Sequence, residues 1–131
     1  MANFIKNYFW AFLWSFFILT ICLIPSNGLP KISFFSDYHI DKVVHFFLYF
    51  IQITLFLLVG TYKTSTNSFR RKHILFILFY SLLLGIAIEF IQQYYIIGRA
   101  GDFYDVLADL VGILLGLCLF IRKKANLIEP I

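Results

Sequence analysis

The sequence predicts an all-α protein, a polytopic transmembrane bundle of four helices, and three observations predict it. Of 131 residues, 61% are hydrophobic, 27 are aromatic (17 Phe, 8 Tyr and 2 Trp) and only 14% are charged. A water-soluble domain this small could not cover so much apolar surface. The mean hydropathy of +0.85 extends over the whole chain, which excludes disorder and a coiled coil, and two cysteines are too few for a secreted disulfide scaffold. Finally, four apolar stretches, at about 8–25, 42–61, 73–97 and 104–121, approach the roughly 20 residues that cross about 30 Å of hydrocarbon.

Backbone groups in lipid must be satisfied within their own segment, so each stretch is expected to be a helix. The first reads as a span rather than a cleaved signal peptide: it carries one basic residue, Lys6, a long apolar run and no small-x-small site before Ser26. Cys22 follows Ile21, which is too large for a good lipoprotein site, so Cys22 is expected to be a buried thiol. Cys118 falls near the opposite end of the fourth span, a helix length away, and no disulfide is expected. The second and third spans are joined by Lys63–Lys72, where Thr64, Ser65, Thr66, Asn67 and Ser68 read as a solvated loop. No repeat or linker interrupts the chain, which reads as a single domain over 1–131.

Lys and Arg set the orientation. Lys6, Lys63, Arg70, Arg71, Lys72, Arg122, Lys123 and Lys124, eight of the eleven basic residues, share one side, which is therefore expected to be cytoplasmic along with both termini. Lys31, Lys42 and Arg99 fall on the other side with Asp37, Asp41, Asp102, Asp105 and Asp109. The net charge of +4 is thus a topology signal and a contact with anionic lipid, and does not point to nucleic acid. Tyr8, Trp10 and Tyr62 fall at the inner rim, and Tyr38, Tyr94, Tyr95, Phe103 and Tyr104 at the outer one.

Ionisable groups in hydrocarbon cost several kcal/mol unless paired or facing water, so those present need a reason. At 100° per residue Asp41, His45, Leu48 and Gln52 fall on one stripe of the second span, with Tyr49 at its edge. The third span carries Glu89, with Gln92 and Gln93 one turn on; the fourth lines up Asp105, Asp109, Gly112 and Gly116. The glycines admit a close helix neighbour. Glu89 lies eight residues, about 12 Å, below Ile97, and His45 and Asp109 lie one to two turns below their own helix ends. One pocket in the outer half could hold them all. Arg99 is the cation near enough in sequence to fold over it, and its fork can grip a carboxylate or phosphate.

Each residue also has a structural reading. Asp41, Asp102 and Asp105 stand at helix starts, where an acid commonly caps free N–H groups. His45 could be a core histidine bonded to a carbonyl, and Gln52, Gln92 and Gln93 could join helices. Lys42, His39 and His73 read as interfacial and are assigned no role. Glu89, a mid-helix carboxylate among Ile86, Ala87, Ile88, Phe90 and Ile91, is the hardest to explain structurally.

Asp41-Lys42-Val43-Val44-His45-Phe46-Phe47-Leu48-Tyr49-Phe50 resembles the D-K-x-x-H-F-x-x-Y-F opening of the second span in VanZ-like membrane proteins. Glu89-Phe90-Ile91-Gln92 is similar to that family's E-x-x-Q. Gly98-Arg99, then Asp105-Val106-Leu107-Ala108-Asp109 with Gly112 and Gly116, resembles its G-R … D-v-x-N-x-x-G-x-x-x-G close. The likeness runs over about residues 41–117 and departs at Asp109, where the family usually has Asn. Two carboxylates one turn apart do not both ionise cheaply, so one must keep a proton or meet a cation. The resemblance implies a multi-pass protein of the bacterial cytoplasmic membrane with Asp41, His45, Glu89, Gln92, Arg99 and Asp105 as signature positions. It also implies a family link to resistance to the glycopeptide teicoplanin.

Three activities fit these residues. In the first, a pocket of Asp41, His45, Glu89, Gln92, Arg99, Asp105 and Asp109 binds a polar or phosphate-bearing lipid head group, a lipid-linked cell-wall precursor or a glycopeptide. No His-Glu-x-x-His, Gly-x-Ser-x-Gly or Cys nucleophile beside a His argues for catalysis. In the second, the protein is an intramembrane enzyme on a lipid-linked substrate. Asp41, His45, Glu89, Asp105 and Asp109 would then hold a divalent cation as cofactor, or His45 oriented by Asp41 would be the base and Glu89 the acid. In the third, Glu89 and His45 serve a proton-coupled transporter or flippase.

Overall fold

The computed structural model describes residues 2–25, 38–63 and 71–126, with side chains over 8–25, 40–60 and 73–123. Ser26, Lys31, Asp37 and the expected loop residues Thr64 to Ser68 lie outside the described residues. Four helices follow one another: α1 (Ala2–Cys22), α2 (Tyr38–Lys63), α3 (Arg71–Tyr95) and α4 (Phe103–Asn126). Within α2, α3 and α4 the stretches Ile40–Gly60, His73–Tyr95 and Phe103–Lys123 are long and apolar enough to cross a membrane, while α1 supplies a shorter one, Tyr8–Cys22.

Local chemistry explains where the helix ends depart from the expected ones. α1 stops at Cys22 rather than near 25 because Ile24 precedes Pro25, whose ring disfavours helical geometry in the residue before it. α3 stops at Tyr95; the Arg99 N–H turns back to the Ile96 carbonyl at 3.2 Å, and Gly98 adopts φ 75°, a left-handed conformation that only glycine takes freely. Asp102 caps α4 as expected, its Oδ1 accepting from the Tyr104 N–H at 2.9 Å. Asp41 does not cap α2. That helix already begins at Tyr38, so Asp41 lies within its first turn, where its charge still opposes the helix dipole.

α2 and α4 start at the same end of the bundle, run parallel and form its most intimate pair. Gly112 and Gly116 make this possible. A Cβ at Gly112 would collide with the Phe46 carbonyl oxygen and lie 3.1 Å from the Phe50 nitrogen, and one at Gly116 would strike Ile53. α1 is pinned to α2 by the Trp14 indole N–H, which donates to the Leu48 carbonyl at 3.0 Å, and by Gln52 Nε2, which donates to Ser15 Oγ at 2.6 Å. Tyr8, Phe12, Phe56 and Tyr80 interlock as an aromatic cluster joining α1, α2 and α3. The outward faces remain apolar: Phe16, Phe79 and Leu83 are 66%, 65% and 51% exposed. Such a surface is tolerable against lipid and not against water.

Candidate functional site

Both cysteines are free, Cys22 buried and Cys118 exposed. Cys22 closes α1 at the end of the bundle where α2 begins, α3 ends and α4 begins, and polar side chains from these helices meet there in two tiers. The outer tier is ionic. Lys42, on the first turn of α2, reaches Asp102 Oδ2 at 2.6 Å and Asp105 Oδ1 at 3.1 Å. Arg99, on the connection after Gly98, donates from Nε to the Ile24 carbonyl over 3.4 Å, and its Nη1 lies 3.9 Å from Asp41 Oδ2.

The inner tier is buried. His45 (2% exposed), one turn below Asp41, places Nδ1 3.0 Å from Asp109 Oδ1 and Nε2 3.9 Å from Glu89 Oε1. An ionised carboxylate can only accept, so an ionised Asp109 takes a proton from Nδ1, while Nε2 faces Glu89. Glu89 spends its other oxygen on the backbone: the Asp102 N–H donates to Oε2 at 2.7 Å. Cys22 borders the imidazole as well. Tyr49 OH and Asp109 Oδ2 both lie against Gly85 of α3, 3.3 and 2.5 Å from where a Cβ there would stand. Among the described residues neither atom has a hydrogen-bond partner, nor does Glu89 Oε1. Buried acceptors without donors are costly, which marks this tier as shaped for something other than packing.

Asp41, His45 and Asp105 each bring one potential ligand atom to within 4.8 Å of the others. Among the described residues five carboxylates (Asp41, Glu89, Asp102, Asp105 and Asp109) gather around Lys42, Arg99 and one imidazole. The assembly is therefore acid-rich, open to a cation or to N–H and O–H donors, with a guanidinium at its edge for an anion.

The chain matches the family described as VanZ/LLP1 over residues 2–125. It is a member of the VanZ/LLP1 family. No curated protein and no solved structure matches it.

In this VanZ/LLP1 protein the three resembling segments converge in space: Asp41 and His45 from α2, Glu89 from α3, and Arg99, Asp105 and Asp109 from the connection and α4. Gln92 does not join them. Its Nε2 donates to the Cys22 carbonyl at 2.7 Å, satisfying a carbonyl at the end of α1 that has no partner within its own helix. Gln93 similarly accepts from the Gly101 N–H at 2.9 Å. Because α3 ends at Tyr95, Glu89 lies six residues, about 9 Å, below the helix end rather than eight. The close pair Asp105 and Asp109 is resolved by separate partners, Lys42 for one and His45 for the other.

Lys42 corrects the reading as an interfacial residue without a role, and Arg99 is not the sole cation over the site. The signal was the adjacency of Lys42 to Asp41 at a helix start; sequence distance from Asp102 and Asp105 hid it. Tyr49, expected at the edge of its stripe, is fully buried. Replacing Gln92 by Leu is expected to destabilise the protein by about 1–2 kcal/mol, the cost of an unmet buried carbonyl. Thermal unfolding in detergent measures it.

Proposed function

We propose that this VanZ/LLP1 protein is a multi-pass protein of the bacterial cytoplasmic membrane with both termini on the cytoplasmic side. In this reading the site lies in the outer half of the bundle and binds the polar head group of an amphiphile: a phosphate-bearing lipid, a lipid-linked cell-wall precursor or an amphiphilic glycopeptide. The observation that carries the reading is the placement of Arg99. Among the described residues its guanidinium is held by one long bond to Ile24 and a distant carboxylate, Asp41. A phosphate gains two parallel charge-assisted bonds from such a fork. Hydroxyl or amine groups of the same ligand find Asp41 beside it and Glu89 Oε1 below. Exposed Tyr94, Tyr95, Phe103 and Tyr104 around this rim suit the lipid–water boundary where such head groups lie.

A fluorescent polyprenyl phosphate titrated into the full-length protein in phosphatidylcholine nanodiscs tests this. Saturable binding, weakened at least tenfold in Arg99→Gln and partly restored in Arg99→Lys, is expected, with the ligand recovered unchanged by chromatography. Non-saturable uptake, or equal binding by Arg99→Gln, would remove the reading.

A further inference from the structure

His45 is braced through Nδ1. Asp109 Oδ1 occupies Nδ1 at 3.0 Å, so the imidazole can use Nε2 as a ligand atom, and a carboxylate on the opposite nitrogen is the usual support for a histidine that binds a metal. Asp41 precedes His45 by four residues, which puts both on one face of α2. Asp105, in the first turn of α4, is carried to that face by the close α2–α4 contact at Gly112. The three side chains bring one ligand atom each within 4.8 Å of one another.

Carboxylates near one another are common without an ion, but a second observation points the same way. Glu89 is 6% exposed, and its Oε1 has no hydrogen-bond partner among the described residues. That oxygen is turned towards His45 Nε2, at 3.9 Å, so a buried acceptor in want of a positive partner borders the imidazole of the same cluster.

We propose that Asp41, His45 and Asp105 form a binding site for one divalent transition-metal ion, beside the buried Glu89 carboxylate. An imidazole with two carboxylates suits Mn2+ or Zn2+. The half-exposed Asp41 side chain (45%) gives the ion its way in, while Asp105 (5%) and His45 (3%) hold it out of water. Lys42 keeps its shorter contact, to Asp102, when Asp105 turns to the ion. A dication also offsets the excess of carboxylates over fixed cations.

The test is titration of chelator-treated, full-length protein in detergent with Mn2+, following the free ion by electron paramagnetic resonance. One Mn2+ per chain is expected, with nitrogen coupling from the imidazole in the spin-echo spectrum. Asp41→Asn, at a half-exposed position, should weaken binding at least tenfold while leaving the fold intact, and His45→Gln should do the same and erase the nitrogen signal. Absence of saturable binding up to millimolar Mn2+, or wild-type affinity in Asp41→Asn, would overturn the proposal. Mn2+ bound without any uptake of polyprenyl phosphate would leave the ion site standing and remove head-group binding. The reverse result would remove the ion site alone.

Discussion

Gly112→Leu is expected to separate α2 from α4 and to dismantle the polar cluster with them. The position has no room for even a methyl group, because the Phe46 carbonyl oxygen and the Phe50 nitrogen already occupy the space. Backbone atoms in a helix cannot rotate aside as a side chain can. Overpacking in a tight interior costs about 1–3 kcal/mol where side chains absorb the strain; here the strain falls on the main chain, so a loss at or above the upper end is expected. His45 and Asp109 would be drawn apart, since one belongs to each helix. Equilibrium unfolding in mixed detergent measures the loss, and Gly112→Ala should show a smaller one of the same sign. A Gly112→Leu protein as stable as wild type would contradict the packing described.

The second large effect concerns Asp109, and it separates shape from charge. Asp109→Leu removes the acceptor of a buried imidazole N–H, a loss of about 3 kcal/mol when the group left behind is sealed from water. Asp109→Asn should stay within about 1 kcal/mol of wild type, because the amide oxygen can still accept from His45 Nδ1. Its NH2 group would meet the region of Tyr49 OH, which has no partner otherwise. The resemblance gives the same position as usually Asn, so the amide is compatible with the shape of the site. Equal losses in the two variants would show that charge, rather than a single acceptor, holds His45. Both are read by the same unfolding assay, with helical content checked by circular dichroism.

The helical architecture was legible because hydropathy acts over whole segments: each apolar run is long, and no water-facing alternative exists for Phe16 or Phe79. The stripe positions of Asp41, His45, Asp105 and Asp109 were legible too, since 3.6 residues per turn fixes which side chains share a face. What escaped the sequence was partner choice. Gln92 lies one turn from Glu89 and reads as a pocket residue, yet a slightly different rotation around α3 sends it to the end of α1. Lys42 is adjacent to Asp41 in sequence but pairs 60 and 63 residues away, through a parallel helix contact that no local pattern announces. The helix ends were missed by a few residues for similarly local reasons, Pro25 and Gly98 acting as stops inside otherwise apolar runs.

The parallel contact of α2 with α4 also has a consequence for biogenesis. α4 is made after α2 and α3, so His45 and Glu89 are synthesised before Asp109, and before the Asp102 N–H that donates to Glu89. Until α4 docks, the buried polar atoms of α2 and α3 lack these partners, a costly state in hydrocarbon. Insertion of the first three helices and docking of α4 are therefore coupled steps in the assembly of this cluster.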